Sequence, residues 1–123
     1  MIEHFNLMKT LTVHEGVAGI EGKDTLDVNT LEFGKCRGCL ACRFAKKCVS
    51  YNDDAQKALD IIKDYTHLDI HLTDGQDTFE RLLYRMLYGL KSTGRTYTLN
   101  GATQTHSASE VARLLNWLGY KQV

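Results

Sequence analysis

The sequence predicts an α/β domain, a mostly parallel sheet with about three helices on one face. From residue 50 onward, segments of helical periodicity and segments of strand alternation take turns along the chain. That is the rhythm of strand–helix units joined by right-handed crossovers. The strand segments alternate apolar and polar side chains instead of running as unbroken apolar stretches, which leaves one sheet face wet. At 123 residues and 13.9 kDa the chain suits a single domain over 1–123, with a cysteine loop at 34–50.

In chain order, Lys9 to His14 reads as a strand, with Leu11 and Val13 alternating against Thr10, Thr12 and His14. Thr25 to Val28 reads as a second. The stretch between them holds Gly16, Gly19 and Gly22 and shows no helical stripe, so a hairpin or loop is expected there. The polar run Ser50 to Asp54 caps a helix whose stripe is Ala55, Ala58, Leu59, Ile62 and Tyr65. Leu68 to Thr73 is a strand. Phe79, Leu82, Leu83, Met86, Leu87 and Leu90 share one face of a second helix, with Asp77 and Glu80 spaced as a capping box. Arg95 to Asn100 is a strand. A third helix opens at Ser107 with Glu110 three residues on, carries Val111, Leu114, Leu115 and Leu118, and stops at Gly119. Tyr120 to Val123 closes the sheet.

Fifteen basic and fifteen acidic residues cancel. That balance removes the electrostatic case for nucleic acid or an anionic membrane. The first residues lack a signal-peptide layout and no apolar run reaches membrane-spanning length, so a cytoplasmic protein is expected. In that compartment thiols stay reduced.

The chemistry is concentrated in one segment. All four cysteines, Cys36, Cys39, Cys42 and Cys48, follow a Cys-x2-Cys-x2-Cys-x5-Cys spacing. Closely spaced thiolates can wrap one metal centre without help from distant residues. Zinc ribbons generally separate two Cys-x2-Cys knuckles by a longer stretch, so the spacing favours iron–sulfur, with zinc and free or redox-active thiols as alternatives. Lys35, Arg37, Arg43, Lys46 and Lys47 surround the thiolates. They would offset the charge of a cluster, or lower a thiol pKa for disulfide switching.

Cys36-Arg37-Gly38-Cys39-Leu40-Ala41-Cys42, Cys48 and then Asn52-Asp53-Asp54 before an amphipathic helix resemble the iron–sulfur flavoproteins and NADPH-dependent FMN reductases of the flavodoxin-like superfamily. Leu82-Leu83-Tyr84-Arg85 and Gly94-Arg95 extend the likeness more weakly. The resemblance implies a truncated flavodoxin-like fold and a 4Fe–4S cluster on the four cysteines. It further implies FMN and an NAD(P)H-dependent, flavin-linked oxidoreductase or electron-transfer activity, with a redox partner protein or small acceptor.

The chain departs from that pattern in several places. It contains no proline. Glu15-Gly16-Val17-Ala18-Gly19 stands where the family cradles the FMN phosphate, and the family's last strand and helix are expected to be missing after Val123. These departures weigh against FMN. A ligand at the strand ends would meet His14, Thr73, Asp74, Asn100 and Gly101, although Asp74-Gly75 and Asn100-Gly101 also read as plain turn formers. Asp53 and Asp54 read as helix caps. His4, His67, His71 and His106 show no ligand spacing and read as surface residues. The polar sheet face could serve a homo-oligomer, and a structural or protein-interaction module is the alternative function.

Overall fold

The computed structural model describes residues 9–20, 24–46, 48, 53–91 and 94–123. The readings placed on the first six residues and on Gly22, Lys47 and the run Ser50 to Asn52 lie outside them. Five strands and four helices follow in order: β1 (Thr10–His14), β2 (Thr25–Asp27), α1 (Cys42–Ala45), α2 (Asp54–Ile62), β3 (His67–Leu72), α3 (Thr78–Leu90), β4 (Arg95–Gly101), α4 (His106–Trp117) and β5 (Tyr120–Gln122). Every strand pair is parallel and the sheet order is β2-β1-β3-β4-β5. This is the strand order of flavodoxin-like sheets, whose switch point lies between β1 and β3.

One expectation needs correcting. Thr12 pairs with Thr25 and His14 with Asp27 in parallel register, so the connection between β1 and β2 is a crossover loop and not a hairpin. Its described residues make left-handed turns at Gly16 (φ 69°) and Gly19 (φ 87°) and form no helix. The fifth strand, β5, is present as its pattern predicts and pairs with β4.

Among the described residues the sheet is packed on one side. Leu11, Val13, Leu68, Ile70, Leu72 and Tyr97 point into a single core with the buried stripes of α2, α3 and α4. α3 is the central helix, flanked by α2 and α4. Its Phe79, Leu82, Leu83, Met86 and Leu90 are almost wholly excluded from solvent, each such side chain contributing about 1.5–3 kcal/mol of burial free energy. On the other face the strand residues stay half-exposed and satisfy one another. His67 Nδ1 meets Thr96 Oγ1 at 2.7 Å and His67 Nε2 meets Thr98 Oγ1 at 3.2 Å. Asn100 Nδ2 donates to Asp69 Oδ1 at 2.7 Å, and His71 Nε2 lies 3.4 Å from Asp69 Oδ2. Alternation in the sequence therefore reported the one-sided covering correctly. Among the described residues no helix is long and apolar enough to cross a membrane.

The helix starts differ in their capping chemistry. Asp53 caps α2 by accepting from Ala55 N at 3.2 Å, as expected. Thr105, not Ser107, caps α4, accepting from Ala108 N at 3.1 Å. The capping boxes do not form. Asp77 makes no side-chain cap and instead pairs with Arg81 at 3.1 Å. Glu110 pairs with Arg113 at 2.8 Å. Spacing alone proposed these boxes, and ion pairs one turn away took the carboxylates.

Candidate functional site

The cysteine segment is closed at its base before any cysteine is reached. Glu32 N donates to Asp54 Oδ2 at 2.8 Å, and Asp54 N returns a bond to Glu32 O at 3.0 Å. One step further in, Gly34 N donates to Asp53 Oδ2 at 3.0 Å. Arg85, projecting from α3 and only 4% exposed, locks this junction. Its Nη1 donates to Gly34 O at 2.7 Å and to Asp53 Oδ2 at 2.8 Å, and its Nη2 to Asp53 Oδ1 at 2.8 Å. The planar guanidinium thus grips the carboxylate with both prongs, which a lysine could not do. The Arg85 hydrogen bonds hold the Asp53 carboxyl below the usual carboxylate range, against the opposing effect of burial. Burial would lower the Arg85 pKa, yet Asp53 and Cys48 beside it keep it above its ordinary value.

From this base the segment folds back on α3. Gly89 makes that possible, because a β carbon there would lie 2.7 Å from Lys46 O and 2.5 Å from Leu59 Cδ2. The short α1 ends at Lys46, whose φ is 62°, with its N–H returning to Cys42 O at 2.8 Å. Gly38 (φ 75°) and Leu40 (φ 64°) are also left-handed. For leucine that conformation costs about 1–2 kcal/mol, and such strain persists only where the surroundings impose it. Leu40→Gly is expected to raise stability by roughly 0.5–1 kcal/mol in urea unfolding. No gain would mean that Leu40 offsets its strain through contacts at the hollow described next.

Cys36, Cys39, Cys42 and Cys48 all line one hollow of about 20 Å³, shared with Leu40, Tyr84 and Arg85. Cys36 and Cys39 are exposed, Cys42 and Cys48 half-buried. Gly38 N donates to Cys36 Sγ at 3.4 Å. Burial pushes the Cys42 thiol up, and the neighbouring charge of Cys36 adds to it, with smaller effects from Cys48 and Cys39. Among the described residues, no three potential ligands stand close enough to hold a single metal ion. The thiols gather around one hollow without converging on one point. Tyr84 forms part of the wall, its hydroxyl donating to Glu110 Oε1 at 2.9 Å and accepting from Arg113 Nη2 at 3.1 Å. Arg113 and then Tyr84 bring Glu110 down to about 2. Next to the hollow, a cleft of about 440 Å³ opens between Lys35, Cys36, Arg37 and the Asp77–Arg81 turn of α3.

The strand ends form a different region. His14, His71 and Asn100 stand in register across β1, β3 and β4. His14 is buried and its Nδ1 accepts from Val17 N at 3.1 Å. Asp74 is exposed at a turn closed by Gln76 N to Thr73 O at 3.1 Å. Gly101 has φ 82°, and a β carbon there would lie 2.3 Å from Leu72 O, so strand pairing accounts for it. Thr73 faces Glu15, which is 1% exposed. The Glu15 carboxylate takes Thr73 N at 2.8 Å and Phe79 N at 3.0 Å, while Thr73 Oγ1 donates to Glu15 O at 2.9 Å. Glu15 is the missing cap of α3, supplied from the end of β1.

These residues do not fit a flavin phosphate. The helix-start amide that an anion would seek at the switch point already holds the chain's own carboxylate, and among the described residues no helix lies between β1 and β2. Arg85 at the cysteine segment and Glu15 at the strand ends carried only faint signals in the sequence. Arg85 lies three positions after Leu82 on the buried side of an otherwise apolar stripe, and Glu15 directly follows a strand. No protein-family model, curated protein or solved structure matches this chain, so the meaning of the site rests on its own geometry.

Proposed function

We propose that the chain is an electron-transfer protein that carries a 4Fe–4S cluster on Cys36, Cys39, Cys42 and Cys48. The observation that carries this reading is the lining of one hollow by all four cysteines, on a segment clamped shut at its base. Thiols spread around a hollow suit a cluster, in which each cysteine ligates a different iron, better than one tetrahedral ion whose sulfurs must lie about 2.3 Å from the metal. When bound, such a cluster supplies one-electron chemistry. The chain's part is to hold the thiolates, to set Lys35, Arg37, Arg43 and Lys46 around them as exposed counter-charges, and to leave Cys36 and Cys39 open to a partner protein or small acceptor. FMN has no place in this proposal because Glu15 fills the switch point.

Anaerobic purification followed by metal and sulfide analysis tests it. The expected result is about four irons per chain with broad absorbance near about 400 nm, both lost in a Cys42→Ala variant. One zinc per colourless chain would replace this reading with that of a structural module.

A further inference from the structure

We propose that Arg85 is the positioning residue of the cysteine segment, clamping its two ends together from inside the protein and walling the hollow beside Cys48. The inference rests on the iron–sulfur reading above for its metal, but the clamp itself is made of protein groups alone. Arg85 belongs to α3, the central helix of the core, and not to the segment it holds. Its two grips, Gly34 and Asp53, lie on either side of every cysteine in the chain.

A buried guanidinium is costly unless its donors are filled, and here the two ends of the segment take Nη1 and Nη2, with Cys48 as a further hydrogen-bond partner. These protein groups therefore offset part of the entropy of closing the segment. The contrast is with small metal domains, in which ligation itself drives folding. Here the protein's own groups join the two ends of the segment whose four cysteines line one hollow. The guanidinium is also a fixed positive charge at the wall of a site built to hold thiolates. In a loaded site, Arg85 would act as the outer partner that orients a ligand-bearing loop, a role whose loss typically weakens metal retention by about ten- to a hundredfold.

The test compares the native chain with Arg85→Lys, which keeps the charge but not the two-pronged fork, and with the double variant Asp53→Asn/Arg85→Met. The double variant leaves no buried charge behind and keeps an oxygen to cap α2. Hydrogen exchange on the metal-free proteins is read first. The Gly34 amide should exchange at least about tenfold faster in the double variant, with Arg85→Lys intermediate, while β3 and β4 keep native protection. After anaerobic reconstitution with iron and sulfide, a chelator should strip iron on the order of tenfold faster from the double variant. Unchanged Gly34 exchange and iron loss in either variant with native strand protection would overturn the proposal. A native chain that takes up no iron would sink the cluster reading alone, and the exchange measurement would still decide the clamp.

Discussion

Asp53→Ala is expected to destabilise the folded chain by about 3–5 kcal/mol, the cost of removing one partner from a buried ion pair. Arg85 would lose the carboxylate that both of its prongs grip. The same change removes the acceptor for Gly34 N and the cap of α2, the cap alone being worth about 1 kcal/mol. Asp53→Asn should cost less, because an amide oxygen can still cap the helix. Urea unfolding at neutral pH separates the two, and an Asp53→Ala midpoint indistinguishable from native would refute the clasp. A pH series adds an independent sign. The folded Asp53 pKa lies below its unfolded value, so its contribution is complete above the unfolded carboxylate range, near about 3.9, and is lost as pH falls through the folded value. Native stability should therefore drop more steeply in acid than that of Asp53→Asn.

Glu15→Ala is the second large effect, expected at roughly 2–5 kcal/mol. Two backbone N–H groups, of Thr73 and Phe79, lose their acceptor at once, and a buried polar group left without its partner costs about 1–3 kcal/mol. Truncation also leaves space behind a side chain that is 1% exposed. Glu15→Gln keeps one carbonyl oxygen and should recover about half of the loss. Denaturation of the three proteins would show the order native, Gln, Ala. Equal stability of Gln and Ala would mean that charge, and not acceptor number, is what Glu15 supplies.

Local pattern and long-range pairing divided what could be read in advance. The three long helices and the five strands followed from periodicity, because a stripe such as Phe79, Leu82, Leu83, Met86 and Leu90 has only one way to be buried. The wet sheet face was legible for the same reason. Parallel pairing of β1 with β2 was not, since a crossover that short needs glycine conformations that spacing does not reveal. The caps of α3 and α4 were misassigned because carboxylates choose among several partners within one turn. Cys36, Cys39, Cys42 and Cys48 were recognisable as a set because their neighbourhood is written in consecutive residues. Arg85 and Glu15 act across separations of 32 and 64 residues. Nothing in a local window marks an arginine that will be buried or a glutamate that will cap another element's helix.

The polar face, left open by the described residues, has a consequence for how this protein tolerates change. Side chains such as Thr96, Thr98 and Asn100 contribute hydrogen bonds but no core packing, whereas their strand neighbour Tyr97 is fully enclosed. Substitutions confined to that face should mostly stay within about 0.5 kcal/mol of neutral. Half of β3 and of β4 is thus open to redesign, and a new surface could be written onto the sheet without disturbing either the core or the cysteine segment.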